Sequence, residues 1–279
     1  MKIILASLIR KKTEALFLKA GTEIRPDILK ALKRAVKSEK NRLSREMLQL
    51  IIENSKIAKS EKLPLCQDTG LPIVFIEIGE EVFVKGSLKD AVIKGAADAY
   101  RKYAYRRSVV VEPVLRNPPF KAGPALLHME TVKGKTLKLT VMAKGFGSEN
   151  KTKLKMMNPT ADIDEIEDFI VSCIRDAGPD ACPPYIVGVG IGGVAETANL
   201  LAKKALLLPI GNDSKKKHLA LMEKRILKKI NDLDIGVMGL GGKATCLKVN
   251  ILTSPTHIAG LPIAVNIGCH ATRSARCTI

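Results

Sequence analysis

Apolar residues recur at helical spacing through the first 65 positions of this 279-residue chain. Arg25-Pro26-Asp27 opens one helix, since proline at an early helical position forfeits no internal hydrogen bond, and Ile28, Leu29, Leu32 and Val36 then share a face. Ser44 is a fitting cap for the next, whose stripe is Met47, Leu48, Ile51, Ile52 and Ile57. The opening residues, Met1 to Arg10, imitate a signal peptide, but the apolar stretch is short, basic residues follow at once and no small-residue cleavage site appears. They read as an amphipathic helix of a cytoplasmic protein.

The period changes at Leu71. Pro72-Ile73-Val74-Phe75-Ile76-Glu77-Ile78 predicts a buried strand, and Val82-Phe83-Val84 a second. A helix over 88–103 carries Ala91, Val92, Ala96 and Ala97, and β-rich segments follow at 108–111, 125–129 and 137–142. Beyond them the pattern predicts an acidic helix over 162–173, a strand over 185–190, helices over 196–207 and 214–230, and a strand over 245–252. No internal repeat or low-complexity linker interrupts this order. The expected class is α+β: a single large domain over 1–279, with a helical section at 1–65 and a mixed β-sheet packed by helices over 66–279.

Composition narrows the partners. A 46% hydrophobic content can bury a full core, and no apolar run approaches the roughly 18–20 residues of a membrane helix. The formal charge of +18 suggests nucleic acid, but there is no Trp, and only four Tyr and six Phe are available for base stacking. The one dense basic tract, from Lys215 to Lys229, interleaves with Leu219, Leu221, Ile226 and Leu227, as the wet face of an amphipathic helix does. We therefore expect neither nucleic acid nor membrane as partner; a basic, non-catalytic interaction protein is the alternative of another class. A lysine-rich surface suits a heat-adapted organism, and its field would draw in a small anionic substrate.

Three glycine loops invite attention. Gly188-Val189-Gly190-Ile191-Gly192-Gly193 satisfies GxGxxG, with Asp213 further on, yet the repeated βαβ alternation of a dinucleotide domain is missing. Gly239-Leu240-Gly241-Gly242-Lys243-Ala244 fails as a P-loop because Ala244 follows the lysine and Val237 replaces the first glycine. Lys144-Gly145-Phe146-Gly147-Ser148-Glu149-Asn150 follows a strand, where glycines would let backbone approach an anion.

Six cysteines without CxxC spacing fit a reducing compartment. Cys173 and Cys246 sit in apolar surroundings and read as small core residues; Cys277, near the terminus, is ambiguous. Cys66 (before Gln67-Asp68-Thr69-Gly70), Cys182 (before Pro183-Pro184) and Cys269 (beside His270) stand instead in turn chemistry. Residue types alone leave two readings open. One is a metal or iron–sulfur centre held by three thiolates with a fourth position free. The other is a Cys–His nucleophilic enzyme with His128, His257 or His270 as base.

At these segments the chain resembles the alpha subunit, or N-terminal half, of class I (iron–sulfur) fumarate hydratases and L-tartrate dehydratases. The motifs are Pro64-Leu65-Cys66-Gln67-Asp68-Thr69-Gly70, Arg106-Arg107-Ser108, the Lys144–Asn150 loop, Ala181-Cys182-Pro183-Pro184 with Gly192-Gly193, and His257 followed by Cys269-His270, in family order over nearly the whole chain. The resemblance implies a [4Fe-4S] cluster on Cys66, Cys182 and Cys269. It implies Gln67 and Asp68 in contact with substrate or the iron-bound hydroxyl, Arg106 on a substrate carboxylate, a backbone amide of Gly147 helping to hold it, and Asp68 and His257 as the catalytic residues. The implied reaction is reversible hydration of fumarate to (S)-malate, with dehydration of L-tartrate as the alternative. A separate beta subunit, in a higher oligomer such as a heterotetramer, would carry the remaining active-site residues. Two departures stand out: Phe146 replaces the middle glycine of the family's Lys-Gly-Gly-Gly-Ser loop, and Arg116-Asn117-Pro118-Pro119-Phe120-Lys121-Ala122-Gly123 replaces an Asn-Thr-Gly-Asp-Asn-type run.

Overall fold

The computed structural model describes residues 1–279. The class is α+β, and the strands expected to share one mixed sheet form two four-stranded sheets and a two-stranded ribbon. The chain divides into two compact units: Met1–Arg25, Asn54–Phe146 and Arg273–Ile279 make the first, and Pro26–Glu53 with Gly147–Thr272 the second.

In the first unit, the expected N-terminal helix is preceded by a strand. β1 (Lys2–Leu5) pairs in parallel with β3 (Val82–Lys85), burying Ile4 while Ile3 and Leu5 stay exposed, and only then does α1 (Ala6–Thr22) begin. The Ile-Ile-Leu run has strand propensity, and pairing with β3 claims it before helix can extend through it. The sheet has the order β10-β5-β2-β4, with β2 (Leu71–Gly79) between β4 (Leu126–Val132) and β5 (Leu137–Lys144), and β10 (Ser274–Thr278) beyond β5. α1 and α4 (Leu88–Lys102) pack together, and Phe17, Val92, Tyr100, Val74, Leu139 and Val141 belong to one core. The β-segment expected at 108–111 does not form a strand. Val109 makes one isolated bridge to Lys121, and every residue from 111 to 120 is exposed, so β-branched propensity found no partner there.

The second unit holds a sheet of order β6-β9-β7-β8, formed by β6 (Lys153–Met157), β7 (Tyr185–Ile191), β8 (Cys246–Thr253) and β9 (Leu261–Gly268). Val187, Val189, Val249, Ile251, Ile263, Val265 and Ile267 form one core with α6 (Ile163–Ala177) and α8 (Lys217–Asn231). Ala264 instead clusters with Ala198 and Ala202 of α7 (Ala195–Ala205). This contact explains the GxGxxG decoy. A Cβ at Gly188 would lie 2.1 Å from the Ala202 carbonyl, and one at Gly190 would lie 2.0 Å from that of Ala198. Those glycines let a helix backbone press on a strand, with no phosphate needed.

The helix boundary near Ser44 needs correction. α2 (Pro26–Ser38) begins as expected, but α3 (Arg42–Glu61) is capped by Asn41, whose Oδ1 accepts the Ser44 amide at 3.1 Å. Ser44 lies inside the helix, its hydroxyl donating to the Gly241 carbonyl. The P-loop-like glycines close on the same place: Gly242 has φ +97°, and the Glu39 carboxylate accepts the Ala244 amide at 2.9 Å. The acidic helix fulfils its prediction with a capping box, Asp162 and Glu165 each accepting the other's amide.

Candidate active site

The first cysteine turn lies between α3 and β2. Leu65 is buried and held on both sides, its amide on the Gly21 carbonyl at 2.8 Å and its carbonyl on Asn54 Nδ2 at 3.0 Å, and this anchor leaves Cys66 and Gln67 exposed. Asp68 turns inward. Its Oδ1 accepts the Gly70 amide at 2.9 Å and its Oδ2 the Phe146 amide at 2.7 Å. A carboxylate accepting two backbone amides is a strong local clamp. The buried Arg273 donates to the Asp68 carbonyl. Gly145 belongs to this packing, since a Cβ there would stand 3.0 Å from Arg273 Nη2 and 3.2 Å from Asp68 Oδ2. Tyr100, buried, donates to the Gly70 carbonyl at 2.7 Å, and desolvation raises its pKa well above the usual phenol value. Thr69 Oγ1 accepts the Arg106 amide at 2.9 Å, so Arg106 is tied by its backbone to the Cys66 turn while its guanidinium stays exposed.

The other two cysteines meet in the second unit. Cys182 follows α6 with φ +57°, a left-handed conformation costing an ordinary side chain roughly 1–2 kcal/mol, and leads into Pro183-Pro184. Cys269 follows β9. The His270 amide bonds the Cys182 carbonyl at 3.3 Å and its Nδ1 lies 3.2 Å from the same oxygen, so the two cysteine turns are joined through His270. The Thr272 hydroxyl returns to the Cys269 carbonyl at 2.7 Å.

Gly147 lies in α5 (Phe146–Glu149), so the expected open glycine loop is a single helical turn. Glu149 fastens it: Asn266 Nδ2 donates to Oε2 at 3.0 Å, and Lys203 pairs with Oε1. His257 is exposed, and its Nδ1 accepts the Ala259 amide at 3.1 Å. A neutral His257 therefore carries its proton on Nε2. The sequence points to the Lys144–Asn150 loop as a place where backbone approaches an anion, but not to Arg273 or Asn266. Only a buried Arg beside the third cysteine, three residues beyond His270, could have been flagged in advance.

The six thiols fall into two sets. Burial pushes Cys173 up to about 11 and Cys246 up to about 12, and also raises Cys277. These groups stay protonated at neutral pH, whereas a metal needs thiolate. Cys66 is exposed, and Cys182 and Cys269 are half-buried on turns. The donor chemistry of this second set, soft sulfur not locked away by burial, is of the kind an iron–sulfur cluster takes. No three His, Cys, Asp or Glu side chains are already gathered as a metal-holding group.

Residues 10–278 match the family model described as fumarate hydratase (fumerase). A Methanocaldococcus jannaschii protein named "Putative L(+)-tartrate dehydratase subunit alpha" is 40% identical over 268 residues, covering 93% of each chain. The L(+)-tartrate dehydratase subunit alpha of Escherichia coli UTI89 is 28% identical, covering 91% of this chain and 84% of its own, and that of strain K12 is 27% identical over the same shares. On the match over nearly its whole length, the chain belongs to the fumarate hydratase (fumerase) family.

Proposed function

We propose that the chain is the cluster-bearing alpha subunit of a two-subunit hydro-lyase for a four-carbon dicarboxylate, interconverting fumarate and (S)-malate. The observation that carries this reading is the division of the cysteines: the three in family motifs lie on turns, and the remaining three are held protonated by burial. Cys66, Cys182 and Cys269 would hold a [4Fe-4S] cluster, which when bound supplies a Lewis-acidic iron for the substrate hydroxyl and carboxylate.

The chain's own residues do the rest. Arg106, exposed and tied by its amide to the Cys66 turn, offers a planar fork for a substrate carboxylate. The neighbouring Gln67 side chain can hydrogen-bond the hydroxyl. With both its oxygens engaged by amides, Asp68 orients the turn and keeps negative charge beside the site. The Gly147 amide adds a neutral donor to the carboxylate. His257 presents Nε2–H, so its neutral form can donate a hydrogen bond to the substrate hydroxyl or carboxylate.

L-Tartrate is the second reading, favoured by the names of the related alpha subunits. Both readings are tested by anaerobic reconstitution with the beta chain, followed by (S)-malate and L-tartrate assays on one preparation. About four irons and four sulfides per chain and malate turnover support the first reading. Tartrate turnover well above malate selects the second, and failure to retain iron overturns both.

A further inference from the structure

The segment between α4 and β4 is unlike the rest of the first unit. From 103 to 125 it contains no helix or strand, and its ten residues from 111 to 120 are all exposed. Exposure here is not confined to polar groups: Val111 is 60% exposed, Val114 83%, Leu115 68% and Phe120 45%. Long irregular segments in compact units are usually functional, and clustered exposed apolar side chains mark contact surfaces. The segment runs directly into β4, which pairs only with β2 and so leaves one strand edge open, with Leu126 and Met129 exposed on it. Open apolar edges invite pairing with another chain. Beneath lies a mainly apolar cleft of about 630 Å³, lined by Ile93, Ala97 and Phe120, with Arg101, Arg107 and Lys121 also in its wall.

Charge selects among occupants. Residues 109–129 hold Arg116 and Lys121 against the single acid Glu112, whose carboxylate is turned onto the Leu115 amide, and Arg106 and Arg107 lie just ahead of them. A second copy of a chain with formal charge +18 would bring like charge to this surface; an apolar partner face with an acidic rim would complement it. The relatives that match along nearly their whole length are named alpha subunits. We propose that residues 109–129, loop and edge strand together, are the docking surface for the beta subunit. This rests on the two-subunit reading above. It adds that the partner is seated on the stretch that begins beside Arg106, where it can reach the substrate carboxylate.

The test uses the full chain and the separately expressed beta chain of the same organism, with affinity measured by titration calorimetry. Val114→Asp/Leu115→Asp and Met129→Lys each alter exposed positions, and Leu221→Asp is the control, an equally exposed apolar residue of α8 in the second unit. Weakening of at least tenfold in the first two, with the control unchanged and all melting as wild type does, is the expected result. Equal affinity in all four chains overturns the surface while leaving the two-subunit reading intact. A wild-type chain that does not bind the beta chain overturns that reading and the proposal with it. Light scattering that shows a dimer of this chain alone, dissolved by Val114→Asp/Leu115→Asp, reassigns the surface to a second copy and also overturns it.

Discussion

Burial separates thiols that look alike in a list of cysteines. Cys173 and Cys246 have their pKa values raised to about 11 and about 12 by desolvation, so below pH 9 they carry almost no thiolate. Iodoacetamide on the iron-free native chain at pH 8 should label exposed Cys66 first and leave both of these unlabelled; mass spectrometry reads the order. Their raised pKa also fixes a pH trend. The folded state binds the thiol proton more tightly than the unfolded one, so stability is intact below the usual thiol value near ~8.5 and falls as pH climbs from there towards about 12. Cys246→Ala should flatten that decline in alkaline denaturation curves. Replacement of Cys66, Cys182 or Cys269 by Ser should abolish the ~400 nm absorbance and bound iron of a reconstituted protein. Cys173→Ser and Cys246→Ser, if folded, should keep both. Asp68→Asn keeps one acceptor where two amides are held, so the turn should lose roughly 1.5–3 kcal/mol of charge-assisted bonding. Faster alkylation of Cys66 in that variant would report the loosened turn, whereas an unchanged rate would reduce Asp68 to a bystander.

Elements in the second unit are shaped by how closely they approach. Gly190→Ala drives a Cβ to 2.0 Å from the Ala198 carbonyl, and overpacking of this kind costs at least ~1–3 kcal/mol. Gly211→Ala, where an added Cβ meets nothing within 4 Å, should leave the melting temperature unchanged. Breaking the α6 capping box by Asp162→Ala should cost about 1 kcal/mol in urea titrations without altering iron content, because that cap lies on the helix end remote in sequence from Cys182. Most elements were legible beforehand: α2, α4, α6, α7, α8, β2, β5, β7 and β8 lie within a few residues of their periodic signals. β1 was not, because an apolar run of four residues fits helix or strand equally until β3 claims it. β6 was hidden for another reason: Lys153-Leu154-Lys155-Met156-Met157 is an edge strand with four exposed residues and no buried face to impose alternation.

Charge acts over the whole molecule. A formal net charge of +18 gives the chain a cationic field that attracts dianions, and salt screens it beyond ~10 Å at 0.1 M. For the assembled enzyme, kcat/KM for the dicarboxylate should fall as ionic strength rises while kcat stays level; a parallel fall in both would place the effect on assembly instead. The charge is not simply loose. Lys248 is buried between Asp213 and Glu223, and Glu167, fully buried, meets Arg225 and Lys229. Asp213, the acid that the dinucleotide motif suggested for a ribose, is thereby spent on Lys224 and Lys248, which hold its pKa below the usual carboxylate range.

By itself the sequence determined the α+β class, most helices, and the short motifs that name the family. These are local: period, caps and turn residues act within a few positions, and a motif is read where it stands. Tertiary structure alone decided which glycines serve a helix contact and which line a site, and which thiols are desolvated. It alone decided that Asp68 spends both oxygens on amides from Gly70 and Phe146, and that Arg273 closes on the same turn. The physical reason is common to all of these. Burial, close approach and hydrogen-bond partnership depend on segments far apart in the chain, such as Asp68 and Arg273, which no local pattern joins.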